Sequence, residues 1–164
     1  MAVASGKEIA RKYLAHYINV GTSDTPTYEL LGEELEELNI EMNPTVNTTT
    51  NILGTTKSEL TQYEKSASIS PYTAVAGTGL FTMLQAIVDE EKTLDDVVTD
   101  FVEVHTWEEA TVGEYTAYKQ NVVIAISSYG GNTDGYQIPF DLHYTGDKIK
   151  GTFNPTTKTF TAAE

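Results

Sequence analysis

Tyr136-Gln137-Ile138-Pro139-Phe140-Asp141-Leu142-His143-Tyr144 places Tyr136, Ile138, Phe140, Leu142 and Tyr144 on one side of an extended chain. A strict period of two is the pattern of a strand with one buried face. Working outward, Gly146-Asp147 predicts a hairpin turn into Lys148 to Phe153, and Asn154-Pro155 a second turn into Lys158 to Thr161. Upstream, Val97 to His105 and Tyr115 to Ser128, with its dense apolar run Val122 to Ile126, also read as extended. Short strands separated by turn residues predict an antiparallel meander.

The first half follows the same rule. Leu14, Ile18 and Val20 share one side of a strand with His16, while Tyr13, Ala15 and Tyr17 share the other. Ser23 to Pro26 form a polar turn, and Tyr28 to Leu31 are a second strand that Gly32 ends. Leu38, Ile40 and Met42 alternate with Glu37, Asn39 and Glu41, which predicts a strand over Glu33 to Met42 with an acidic outer face. Leu60 to Tyr72 read as a polar strand with Tyr63, Ala67 and Ile69 inward. One helix is predicted, N-capped by Thr78, with Leu80, Phe81, Leu84, Ile87 and Val88 on one face. Asp89, Glu90 and Glu91 oppose its dipole by about a few tenths of a kcal/mol each, so its apolar face must hold it. The expected fold is mainly β, an antiparallel β-sandwich or flattened barrel with one flanking α-helix.

A chain of 164 residues suits one domain, spanning 1–164, that buries roughly 70% of its unfolded surface. Two segments stand outside the strand pattern. Residues 1–12 are expected to be a flexible arm that holds Lys7, Arg11 and Lys12, three of the ten positive charges. Residues 43–59 are rich in Thr and Asn around Ile52 and Leu53, and a stretch this long is functional or disordered in most compact domains. Its β-branched Thr residues suit an extended hairpin arm.

Charge narrows the function classes. The formal net charge is −14, and Arg11 is the one arginine. Nucleic-acid readers need clustered Arg and Lys to displace counterions and make bidentate contacts, so attractive nucleic-acid binding is disfavoured. The same charge is repelled by anionic lipid, and no apolar run approaches the roughly 18 residues of a membrane span, so no membrane partner and no signal peptide are expected. With no cysteine, stability rests on packing and strand pairing.

The search for chemistry returns bland readings. His16, His105 and His143 lie in strands without zinc spacing, and even Asp141 with His143 reads better as partly exposed sheet residues. Gly77-Thr78-Gly79 precedes the helix but lacks the third glycine and the lysine of a phosphate cradle. Asn132-Thr133-Asp134-Gly135 is a turn without the later Glu of a calcium loop, and Asn47-Thr48-Thr49 matches a glycosylation acceptor by chance in a Thr-rich stretch. No pair of carboxylates stands out for glycoside hydrolysis. Neither catalysis, metal nor cofactor is expected.

Four strings in order carry a resemblance: Tyr17-Ile18-Asn19-Val20-Gly21 with Tyr28-Glu29-Leu30-Leu31-Gly32, then Leu38-Asn39-Ile40-Glu41-Met42-Asn43-Pro44, then Lys150-Gly151-Thr152-Phe153-Asn154-Pro155-Thr156-Thr157-Lys158-Thr159-Phe160-Thr161. Over nearly the full chain this resembles the major tail tube proteins of long-tailed, siphovirus-like bacteriophages and prophages. One departure is that Ala74-Val75-Ala76-Gly77-Thr78-Gly79 replaces the Lys-Gly-Asp-Pro stretch often found before the helix, so the subunit contact made there is not carried over.

The resemblance implies a β-sandwich flanked by a helix, in six-fold rings stacked into a hollow tube through which DNA leaves the capsid. It implies partners: copies of the chain itself, tape-measure and tail terminator or tip proteins, and DNA as repelled cargo. It places the protein in the virion tail, assembled in the host cytoplasm. On this reading Glu34, Glu37 and Glu41 face the lumen, where repulsion acts over about 8 Å at physiological salt. Asn47, Thr49, Ile52 and Leu53 reach the next ring, so removal of residues 45 to 57 should leave a folded monomer that does not polymerise. Lys7 and Arg11 make a second inter-ring contact with acidic neighbours. The alternative is a carbohydrate-binding β-sandwich module, for which ten Tyr and Trp107 would supply stacking faces if they lay in one exposed row.

Overall fold

The computed structural model describes residues 2–164. About half of the chain is strand and a single α-helix accompanies it. Strands β1 (Leu14–Asn19), β2 (Tyr28–Leu31), β3 (Ile40–Glu41), β4 (Pro44–Thr50), β5 (Thr56–Tyr63) and β6 (Ser66–Ile69) precede α1 (Gly79–Glu90). After it come β7 (Val98–Thr111), β8 (Glu114–Ile126), β9 (Gly130–Asn132), β10 (Gly135–Gln137), β11 (Phe140–Asn154) and β12 (Thr159–Ala162). Eight strands form one antiparallel sheet in the order β2-β1-β7-β8-β11-β6-β3, with β12 on the far half of β11; β9-β10 and β4-β5 are separate hairpins. The sheet curls into a half-barrel, as the mainly β reading with one flanking helix expected.

Period two explains why this sheet has a core on each face. On β1 and β7, Ile18 and Phe101 point to the concave side, where they pack with Leu84 and Ile87 of α1 and with Ile124 and Leu142. The intervening residues Tyr17, Val102 and Val104 point the other way and pack with Tyr28, Ala117 and Phe153. Where both faces are covered, neighbouring residues are buried together, as Phe101 and Val102 are on β7 and Thr116 and Ala117 on β8.

The helix closes one end of the concave side. Thr78 Oγ1 accepts from the Phe81 amide at 3.3 Å, as its N-cap position predicts. The sequence did not announce a second cap: the Glu29 carboxylate accepts from the Gly79 amide at 2.7 Å and the Leu80 amide at 3.0 Å. A Cβ at residue 79 would lie 2.5 Å from Glu29 Oε1 and 2.7 Å from Val20 Cγ2, so glycine permits this close approach. The helix N-terminus already holds its anion, which leaves no place there for a phosphate. Glu29→Ala is expected to cost about 1–2 kcal/mol, seen as a lower urea midpoint at unchanged slope.

Four expectations are corrected. Only Ile40–Glu41 of the segment 33–42 is strand. After Gly32 the chain turns, with the Leu35 amide bonded to the Gly32 carbonyl at 3.1 Å, and Leu38 is buried while Met42 is exposed. Leu35 and Leu38, three apart, anchor an irregular segment whose acidic residues are all solvated.

Second, Gly146-Asp147 is no hairpin: β11 runs on to Asn154, and its register against β8 shifts between Thr145 and Ile149. Gly146, at φ 69°, supplies the left-handed residue of this bulge. Third, the run Tyr136 to Tyr144 is two strands, β10 and β11, parted at Ile138-Pro139, where the missing amide of Pro139 breaks the ladder. Fourth, Leu60 to Tyr72 divides into the end of β5 and the separate β6; Ala67 and Ile69 are buried, but Tyr63 is 53% exposed.

Candidate functional site

The segment expected to form an arm is a two-stranded hairpin, β4 against β5, paired from Pro44-Tyr63 at its base to Thr50-Thr56 at its end. Every residue of both strands is exposed. Side-chain ladders hold it: Thr48 with Ser58 at 3.0 Å and Thr50 with Thr56 at 3.3 Å. Asn51 Oδ1 accepts from the amides of Leu53 at 2.9 Å and Thr55 at 3.0 Å, which fixes the turn. Ile52 and Leu53 stand at the tip, 102% and 85% exposed. No charge occurs from Pro44 through Thr56. Asn47 and Thr49 lie on β4 opposite Glu59 and Lys57, so four of the predicted self-assembly residues share this hairpin.

The other two lie elsewhere. Arg11, in a single 3-10 turn at Arg11–Tyr13, donates to the Leu14 carbonyl and to the Leu38 carbonyl at 3.0 Å, tying the N-terminal arm to the irregular acidic segment. Lys7 is exposed near a turn, and the Val3 amide bonds the Trp107 carbonyl at 3.2 Å. Glu34, Glu37 and Glu41 are all exposed; Glu34 and Glu37 belong to the irregular segment and Glu41 to β3. Residue 1 of the predicted arm lies outside the described residues.

Sequence reasoning missed a cavity of about 350 Å³ at the end of the concave face that α1 does not cover. Its apolar walls include Ile40, Met42, Tyr63, Phe101, Tyr118 and Tyr144, drawn from five strands and the link between β3 and β4. Two of the chain's few cations stand at its rim: Lys65 Nζ lies 4.3 Å from the Tyr144 ring centroid and Lys148 Nζ 4.3 Å from that of Tyr118. Burial, and then Lys148, pull the Lys65 ammonium below its usual range, with Glu103 opposing them. Gln120 donates to the Gly146 carbonyl at 2.9 Å, while its buried Oε1 has no partner. The one signal in sequence was that Phe101 and Glu103 share a face of β7 at spacing two.

Glu103 is the charged centre of this end. Its carboxylate is 2.8 Å from His105 Nε2 and 3.5 Å from His16 Nε2. His16 is 2% exposed, not a partly exposed sheet histidine, and it stacks on Phe101 at 5.4 Å. His16 foremost, and then His105, hold the Glu103 carboxyl at about 2 against the opposing effect of burial. A carboxyl depressed in the folded state adds stability that is fully present above its unfolded value near 4.5 and is lost as pH falls toward 2. Glu103→Gln is therefore expected to flatten the loss of stability between pH 5 and pH 2, measured by urea unfolding at each pH; an acid limb identical to wild type would refute it.

Tyrosines do not form a single exposed row. Tyr17, Tyr28 and Tyr72 are core residues, and the exposed Tyr63, Tyr129 and Tyr136 sit apart in sequence, on β5, in the β8-β9 loop and on β10. Trp107 stacks on His105 at 4.3 Å. Among the described residues no group of three or more His, Asp or Glu side chains is placed to hold a metal ion, and no helix is long and apolar enough to cross a membrane.

No protein-family model matches the sequence, and no curated protein matches it significantly. A solved structure is similar in fold: the sheath/tube terminator of an extracellular contractile injection system, PVC, determined in its extended state by cryo-EM. The TM-score is 0.53 at 11% sequence identity, over 90% of this chain and 99% of that one. The likeness is one of fold, and it spans nearly the whole of both chains.

Proposed function

We propose that this chain is a structural, non-enzymatic subunit of a phage-tail-like tube that assembles with copies of itself. The observation that carries the reading is the exposed hairpin β4-β5, which bears no charge from Pro44 through Thr56, pairs Lys57 with Glu59 below that, and has two bare aliphatic residues at its tip, on a chain of net charge −14. Like-charged copies repel, so association needs a surface free of charge that gains by burial, and the stretch from Pro44 through Thr56 is one. The fold likeness to a protein described as a sheath/tube terminator supports the same class of work.

In finer terms, six copies form a ring and rings stack around an acidic channel. The exposed Glu34, Glu37 and Glu41 line it and repel DNA, which passes as cargo during genome ejection. The place of action is then a virion tail, assembled in the bacterial host cytoplasm, with tape-measure and tail terminator or tip proteins as further partners. Negative-stain microscopy of the purified protein at rising concentration tests the class: rings or tubes are expected, and a monodisperse monomer at every concentration would overturn it. A second reading, favoured by the likeness to a terminator, has the chain cap a tube instead of building it. Single rings that never stack, whatever the concentration, would favour the cap.

A further inference from the structure

We infer that the open end of the half-barrel, the cavity between Met42, Tyr63, Phe101 and Tyr118, is the socket for the Ile52-Leu53 hairpin tip of a second copy of this chain. The inference rests on the reading that the chain associates with itself, and it names where the contact is made.

Four observations bring knob and socket together. The tip offers two aliphatic side chains that nothing in their own chain covers. The cavity, at about 350 Å³, is more than twice the roughly 150 Å³ that admits a benzene ring, so it has room for both. The tip cannot fill the socket of its own chain: Met42 and Tyr63 flank the base of the hairpin, and seven residues of β4 carry the tip roughly 20 Å away from it. Charge points the same way. The chain as a whole carries a net charge of −14, whereas the charged residues lining the socket are Lys65, Lys148 and Glu103, two positive against one negative, and the hairpin brings no charge from Pro44 through Thr56.

Such a contact is heterologous, with the tip of one copy in the socket of the next. It leaves each copy with one used and one free surface, which is the requirement for stacking. The extended hairpin keeps base and tip apart and so sets a spacer of fixed length between successive copies.

Because the chain has no cysteine, single introduced thiols report the contact directly. The Leu53→Cys variant is mixed with Met42→Cys, and separately with Val112→Cys, whose side chain is exposed on the β7-β8 turn, away from the socket. Each mixture is treated with a short bis-maleimide at a concentration that gives assembly. Heterodimers of Leu53→Cys with Met42→Cys are expected at least tenfold above those with Val112→Cys. Wild-type tubes together with equal yields from the two mixtures would overturn the socket and leave self-assembly standing. The expected enrichment without tubes would uphold the socket and sink the tube. Neither enrichment nor assembly would overturn both.

Discussion

Excision of residues 47–59, with Asn-Gly bridging the last retained pair Val46-Leu60, is expected to leave a folded monomer and abolish polymerisation. The hairpin strands pair only with each other and bury nothing of the core, so the loss to the monomer should stay within about 0.5 kcal/mol. Burial of two aliphatic side chains at a contact stabilises it by about 3–6 kcal/mol, or about two to four orders of magnitude in association constant. Thermal unfolding reads the first quantity, sedimentation and electron microscopy the second. Tubes of normal length from the excised chain would refute the arm's role, and a large fall in melting temperature would show that the hairpin supports the fold itself.

The largest effect on stability is expected at Phe153. Its side chain is fully buried in the convex-side core, 4.4 Å from the Tyr17 ring and 5.7 Å from that of Tyr28. It also pairs with Phe160, where β12 joins β11. Phe153→Ala should cost about 3–5 kcal/mol, a large share of the roughly 5–15 kcal/mol that holds a domain together. At about 2–4 °C per kcal/mol for a chain of this size, the melting temperature should fall by roughly 10 °C. Phe153→Leu keeps an apolar side chain there and should cost less. If Phe153→Ala melts with wild type, the second core contributes little, and the concave-side cluster under the helix carries the fold alone.

Both predictions draw on parts of the molecule that the sequence displayed. Strand β11 was legible from the alternation of Phe140, Leu142 and Tyr144, β8 from the β-branched apolar run Val122 to Ile126, and the helix because Thr78 precedes an apolar face at helical spacing. The arm was legible by contrast, as a run rich in Thr and Asn without the periodicity of its neighbours. At Gly146 the failure was physical: a hairpin turn and a bulge both use a left-handed glycine, and only the partner of the next residues decides between them. Lys150 to Phe153 keep β8 as their partner, so the strand continued. In segment 33–42 a short alternation competed with Leu35 and Leu38 at helical spacing, and burial of Leu38 won. Beyond Phe101 and Glu103 at spacing two, the socket and the His16-Glu103 contact could not be read, since their members come from different strands and connecting segments and meet only in the folded sheet.

The helix that seals one end of the half-barrel also makes the subunit polar. Copies joined tip to socket would all point the same way, so the two extremities of a stack would differ in kind: one bristling with bare hairpins, the other presenting vacant cavities. Growth at the first needs a partner with a socket, and growth at the second needs one with a tip. A chain of the same fold without the hairpin would dock at only one extremity and halt elongation there.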